Sequence, residues 1–310
     1  MDAAIFGLIV ADVIASPLDA RSPPPSGGLQ FLQRIELTSG GNVCNTGIAM
    51  ARLGLRVAAA GAVGRDALGA ALIDRLKQAG LDVGCVVADD RAQTSATVVA
   101  VEPGGERSFF HVPGATTLLD AGALRRCFPL FARCEIVQIG YFGLLPALTP
   151  ELPNLLSELR EVAPRVKLAL DTVNPPAARE LLDPILPHVD VFCPSRSEAA
   201  ALTGESDPQA MVASFRPLMP PGSLVGIKLD AEGCFLDDGA ASCFCPAYKV
   251  NVVDTTGAGD TWFGGLLTAL HRRMPLEQSG RFANRAAADC CTALGASAGV
   301  RSFDETFARI

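Results

Sequence analysis

Histidine is nearly absent from the chain. His111, His188 and His271 are the three in 310 residues, and none stands near another. The ten cysteines contain no Cys-x-x-Cys, since Cys290 and Cys291 are adjacent and Cys243 and Cys245 are one residue apart. A zinc pattern is therefore excluded, and reduced, mostly buried thiols are expected. Basic blocks are missing too. A formal net charge of −7 leaves nothing to neutralise a phosphate backbone, so a nucleic-acid partner is not expected. No Lys or Arg precedes Arg21, and the apolar run of "MDAAIFGLIVADVIASP" is too short to span a bilayer. Neither signal peptide nor membrane partner is expected; a first buried strand and a cytoplasmic protein are. Gly-x-x-x-x-Gly-Lys-Ser/Thr does not occur, which excludes a Walker-type phosphate loop. A dinucleotide fingerprint beginning at Gly257 fails because Trp262 stands where its last glycine belongs. Internal repeats and long linkers are also lacking.

Apolar residues make up 49% of the chain but aromatics only 6%, so Ala, Leu and Val carry the core. That suits helices packed on a parallel sheet. Strand-like runs ("AAIFGLIV", "VAAAGAV", "EIVQIG", "VKLALD", "VDVFCPS", "SLVGIKL") alternate with helical stretches such as "DALGAALIDRLKQAG". The alternation predicts right-handed βαβ units and an α/β fold with a doubly wound, mostly parallel sheet. Two β-like segments, 13–38 and 92–112, interrupt it, the second reading as a hairpin that turns at Pro103-Gly104-Gly105. They are expected to pair into a small sheet beside the core. Two readings stay open, a flap over a cleft and a decorative edge.

The stretch "NVVDTTGAGDTWFGGLL" (251–267) places a strand end, a turn and the mouth of an apolar helix in succession. Gly257 and Gly259 bare that mouth, where backbone N–H groups lack helical partners and attract an anion. Asp260 puts a carboxylate where an anion would sit, which suggests a chemical role. A second glycine cluster, "SGGNVCNTGIAMARLG", sets Asn42 and Asn45 three residues apart at a helix start. Their amides suit sugar hydroxyls, and they equally suit helix capping. Asp12 follows the first strand, where open α/β sheets bind ligands; it reads either as a polyol ligand or as a turn cap.

Together these residues resemble the ribokinase-like (PfkB) family of sugar and nucleoside kinases over nearly the whole length. "VVDTTGAGDTWFGGLL" matches that family's C-terminal signature, and "GGNVCNTGIAMARLG" followed by "GAVGRDALG" matches the N-terminal one. "GERSFFHVPGA" is similar to the lid-proximal strand and "CPSRSEAAALTG" to the Pro-Asn-x-x-Glu segment. The resemblance implies one ribokinase-like kinase domain over 1–310, with the two β segments as a lid, acting as an ATP-dependent sugar kinase. It implies Asp260 as catalytic base and the backbone of Gly257, Ala258 and Gly259 as anion hole. Asp12, Gly41, Asn42 and Asn45 would hold the sugar, and Lys228, Asp230, Gly233 and Asn284 the nucleotide. Glu198 would organise Mg²⁺ through water, and Asp254 a monovalent cation such as K⁺. A homodimer through the lids is also implied.

The sequence departs from the family pattern at four positions. Ser195 replaces the Asn of Asn-x-x-Glu, and Asp230 replaces a glycine near the nucleotide. Val10 and Gly140 stand where ribokinases carry Asn and Glu. A nucleoside kinase, with Phe31, Phe109 and Phe110 available to grip a base, and a non-catalytic sugar- or nucleotide-binding pseudokinase remain alternatives. Arg107 reads either as a reach toward an acidic substrate or as a solvated strand charge, and His111 as a packed strand residue.

Overall fold

The computed structural model describes residues 1–310 except 20, 23, 103, 105 and 174–178. Its strands are β1 (Ala3–Gly7), β2 (Val10–Ser16), β3 (Arg34–Gly40), β4 (Val57–Gly64), β5 (Asp82–Asp89), β6 (Ala96–Val101), β7 (Arg107–Val112), β8 (Ile136–Phe142), β9 (Lys167–Thr172), β10 (Val191–Phe192), β11 (Leu224–Lys228), β12 (Gly233–Asp237) and β13 (Ser242–Pro246). The helices are α1 (Asn42–Arg52), α2 (Ala67–Gln78), α3 (Ala121–Phe131), α4 (Leu152–Val162), α5 (Arg179–Leu182), α6 (Arg196–Thr203), α7 (Pro208–Phe215), α8 (Ala258–His271), α9 (Leu276–Cys290) and α10 (Phe303–Phe307). None of the described helices is long and apolar enough to cross a membrane.

Nine strands form the main sheet in the order β13-β12-β11-β10-β9-β8-β1-β4-β5. The run from β11 to β5 is parallel throughout, and β12 and β13 close the other edge as an antiparallel hairpin. Side chains alternate between two cores. Ala4 and Phe6 of β1 join the cluster beneath α3, α4, α6 and α7, while Ala3 and Ile5 join the one beneath α1, α2, α8 and α9. Every residue of β1 and β4 is buried, which explains their unbroken apolar sequences.

Chain order runs outward from β1 in both directions, so the sheet reverses between β1 and β8. Open α/β sheets bind ligands at such a switch point, beyond the carboxyl ends of the strands. The ends of β8, β9 and β11 there carry Tyr141, Asp171 and Lys228.

The expected small sheet is present, in the order β3-β2-β6-β7, with β6 and β7 as the hairpin. Pro103 and Gly105 of the expected turn lie outside the described residues. The apolar run at the N-terminus is divided between the two sheets. Gly7 has a φ of +149°, and a Cβ there would lie 1.7 Å from the Gly140 carbonyl oxygen. Only glycine turns the chain at that point, and β2 then enters the small sheet. Asp12 is thus a lid residue, opposite Thr38 on β3 and Thr97 on β6.

Candidate active site

α8 starts at Ala258, and its N-cap Gly257 is in the left-handed region at φ +72°. A side chain at Gly257 would strike Ala296, whose Cβ would lie 2.5 Å away. The glycine is required by backbone and packing alike, and it keeps the first N–H groups of α8 bare. A side chain at Gly259 would meet only Lys228 Nζ, 3.8 Å off, so this lysine overhangs the helix mouth. A cavity of about 1000 Å³ reaches the same point. Lys228, Asp230, Gly233 and Asn284, the four residues expected near the nucleotide, all line it, with Ala258, Gly259 and Trp262. Asn284 is pinned, donating to the Cys245 carbonyl and accepting from Trp262 Nε1, each at 2.8 Å. Asp230 has φ +53°, the left-handed region that glycine adopts freely and that Asp tolerates better than most residues.

Asp260 lies on the lid side of the helix mouth, buried. Its Oδ2 accepts from Asn45 Nδ2 at 2.9 Å, and Tyr141 Oη donates to Oδ1 and Oδ2 at 2.7 and 2.8 Å. Burial pushes the Asp260 carboxyl above the ordinary carboxylate range, and the Asn45 and Tyr141 hydrogen bonds and Lys228 oppose that shift. Asp12 is raised to about 6 by burial, against a hydrogen bond from Thr97. Gly40 makes room for it, since a Cβ at 40 would lie 2.2 Å from Asp12 Oδ2. Asn42 is fully buried, and its amide is spent on backbone. It accepts from Leu8 N at 2.9 Å and donates to the Phe6 carbonyl at 3.1 Å, fixing the bend between β1 and β2. A Cβ at Gly41, whose φ is +82°, would lie 2.3 Å from the Leu8 carbonyl oxygen, so backbone approaches backbone there. Neither Asn42 nor Asn45 caps α1, whose N-cap is Gly41.

Two further charged residues, Asp171 and Lys228, meet beside Asp260. Lys228 Nζ donates to Asp171 Oδ1 at 3.2 Å. Burial alone would lower the Lys228 pKa, but Asp171, Glu198 and Asp260 outweigh it and hold the ammonium charged. Asp171 is raised to about 6 by burial, with Lys228 pulling the other way. Glu198 Oε2 accepts from Thr172 Oγ1 at 2.9 Å and from Ser195 N at 2.8 Å. Ser195 N-caps α6 in a capping box with Glu198, so the serine that replaces the usual Asn still orients the glutamate. Sequence reading missed Asp171 and Tyr141, because each is a single polar residue at a strand end without a motif around it.

Arg107, from lid strand β7, is neither free nor aimed at open solvent. It pairs with Asp254 at 2.7 Å and also hydrogen-bonds Thr256 Oγ1. Asp254 accepts in addition from Thr256 N at 2.8 Å and Gly295 N at 2.9 Å. Burial would raise its carboxyl, but these donors bring it down to about 2. His111 is exposed on the strand, its Nδ1 3.0 Å from Thr97 Oγ1.

The family model described as pfkB family carbohydrate kinase matches residues 2–302. A ribokinase of Haemophilus influenzae is 28% identical over 279 residues, covering 88% of each chain. Fructokinase-1 of Oryza sativa subsp. japonica is 31% identical over 275 residues, covering 83% of each. Among solved structures, Arabidopsis thaliana ribokinase complexed with ribose and ATP superposes with a TM-score of 0.83 at 22% identity, covering 99% of this chain and 97% of that one. Ribokinase from Giardia lamblia does so at 0.82 and 20% identity, covering 100% and 99%. The chain belongs to the pfkB family of carbohydrate kinases. It is a phosphotransferase that uses an alcohol group as acceptor.

Proposed function

We propose that the chain is an ATP-dependent sugar kinase that transfers the γ-phosphoryl group to a sugar hydroxyl. One observation carries this reading: a buried carboxylate, Asp260, stands at a glycine-bared helix mouth that a large cavity reaches. The nucleotide occupies the cavity along Lys228, Asp230, Gly233 and Asn284. Its transferring phosphoryl group faces the N–H groups of Gly257, Ala258 and Gly259, where fixed donors stabilise charge on the equatorial oxygens. Lys228 adds a positive charge at the same mouth. The sugar lies between Asp12, Gly41, Asn45 and Asp260, and Asn42 serves that pocket by fixing the bend that delivers Asp12. Asp260 accepts the proton of the attacking hydroxyl, a transfer favoured by the burial that raises its affinity for protons.

Glu198 has the chemistry to hold Mg²⁺ through water. Its Oε2 is spent on Ser195 and Thr172, while Oε1 has no hydrogen bond among the described residues. A Mg²⁺ ion keeps several of its own waters and needs few protein ligands. Bound there, Mg²⁺ would neutralise triphosphate oxygens. Asp254 does not suit a monovalent ion in this arrangement, because the Arg107 guanidinium already pairs with its charge and two backbone N–H groups take further lone-pair sites.

The lid's outward face, with Ile35, Leu37, Val98, Phe110 and Val112, is apolar and exposed, and it suits a second copy of the chain. Sedimentation equilibrium that finds only monomer would remove the lid-to-lid dimer. Free thiols, mostly buried and several pushed above their ordinary range, accord with a reducing, cytoplasmic setting. A nucleoside acceptor is the second reading. It rests on Phe109, 65% exposed on the inward face of the lid in register with Ile14 and Val99. ADP release across a panel of sugars and nucleosides separates the two, and binding without turnover on every member would leave a sensor and remove the kinase.

A further inference from the structure

The acceptor pocket contains a phenol that the expected machinery does not use. Tyr141 is the penultimate residue of β8, next to Gly140, where a Cβ would be a tight 3.0 Å from Asn42 Nδ2. Its hydroxyl bridges both oxygens of Asp260. With Asn45 on Oδ2, two donors reach the carboxylate, the single phenol O–H being shared between both oxygens, and the carboxylate has about four lone-pair sites. The phenol also lies close enough to feel Asp171 and Asp12.

We infer that Tyr141 is a positioning residue of phosphoryl transfer: its hydroxyl holds Asp260 aimed and ionised, with one Oδ1 lone pair left for the acceptor hydroxyl. The inference rests on Asp260 being the general base. A lone buried carboxylate would rotate and would hold its proton too tightly to start the reaction. A phenol that donates to both oxygens fixes the carboxylate plane and favours the charged form. Asn45 from α1 cannot do this alone, because it reaches only Oδ2. Burial and three neighbouring carboxylates drive the Tyr141 pKa well up, so the phenol stays a donor at neutral pH. The other groups facing Asp260 are Lys228 from β11, Asp171 from β9 and Cys290 from α9, with neutral Asn45 and Thr46 from α1. The Cys290 thiol is pushed up to about 11 and carries no charge near neutrality. Lys228 and Asp171 act on the base in opposite senses, which leaves Asn45 and Tyr141 as the neutral donors that favour its charged form, and of the two Tyr141 alone reaches both oxygens.

The test is Tyr141→Phe, which keeps the ring and removes the hydroxyl, assayed by ADP release against pH beside Asp260→Asn. Loss of a hydrogen bond to a charged group should move the acidic limb of kcat up by about one pH unit or more. On the acidic limb it should lower kcat roughly tenfold, with sugar KM nearly unchanged. Incorporation of 3-fluorotyrosine, a stronger acid and donor, should move the limb the opposite way. In Tyr141→Phe the label would sit at Tyr248 alone and should leave the limb where that variant has it. An unmoved limb with a lower melting temperature would make Tyr141 a packing residue and overturn the inference. Unchanged or faster turnover with tighter sugar binding would make the phenol a plug and overturn it equally. The two failures are distinguishable: an active Asp260→Asn removes the base itself, whereas an inactive one with an unmoved Tyr141→Phe limb removes only Tyr141's part.

Discussion

Asp260→Asn separates chemistry from architecture. An asparagine can turn its oxygen to Asn45 and its amide to the Tyr141 oxygen, so the hydrogen-bonded frame survives with the phenol rotated. It cannot take a proton. Loss of a general base costs roughly 10²–10⁴ in rate, or about 3–5 kcal/mol on the barrier. Stability should respond in the opposite sense. The folded-state pKa of Asp260 is raised, so the folded protein binds its proton more tightly than the unfolded chain does. That contribution is complete below the unfolded value and is lost as pH rises through the folded one. The wild type therefore carries a burial penalty at neutral pH that the variant lacks. The expected result is a collapse of ADP formation, sugar affinity changed only modestly, and a melting-temperature difference, variant minus wild type, larger at pH 8 than at pH 4. These are read on one preparation by coupled assay, calorimetry of sugar binding and thermal melts. Turnover at the wild-type rate would refute the mechanism. A stability loss at pH 8 with turnover intact would make Asp260 a residue of the helix's first turn and nothing more.

Three further results are expected. Asp12→Asn should weaken sugar binding and flatten the pH dependence of stability: with a folded value of about 6 against 3.8, the wild type loses up to about 3 kcal/mol as pH rises from 4 to beyond 6. Parallel melting curves of variant and wild type over that window would contradict this. Glu198→Gln should raise the Mg²⁺ concentration needed for half-maximal rate while the fold holds, since the amide can still accept from Ser195 and Thr172; an unchanged Mg²⁺ titration removes its metal role. Arg107→Ala should loosen β6 and β7 in hydrogen exchange and, by freeing Asp254, make turnover respond to K⁺, whereas the wild type should run equally in K⁺ and in a bulky organic cation. A wild type strongly activated by K⁺ would show that the ion displaces the guanidinium.

The parts of the site that were legible in sequence are those where function is written into contiguous backbone. Gly257, Gly259 and Asp260 are informative because a bared helix mouth needs glycines at set offsets, and the alternation of β1, α1 and β4 likewise announces its sheet. Chain distance hid the rest. Tyr141 lies 119 residues from Asp260 and Asp171 lies 57 from Lys228, so only the sheet order makes them neighbours. Asn42 and Asn45 share a motif yet do different work: one turn of helix points Asn45 at the carboxylate, while Asn42 meets the backbone of the β1–β2 bend. Arg107 could not be placed from its strand alone, because its partner Asp254 lies 147 residues away, between β13 and α8.

Asp12 belongs to the lid strand, whereas every described residue lining the cavity of about 1000 Å³ comes from the chain between 228 and 291 in the core. If that cavity takes the nucleotide and Asp12 the sugar, as proposed, the two ligands have different gates. Among the described residues no lid side chain walls the cavity, so nucleotide would exchange with the small sheet in place. Raising that sheet would carry off the carboxylate proposed to grip the sugar. A single motion would then time the traffic of one ligand only: phosphorylated sugar would depart with each opening, and spent nucleotide would exchange on its own clock.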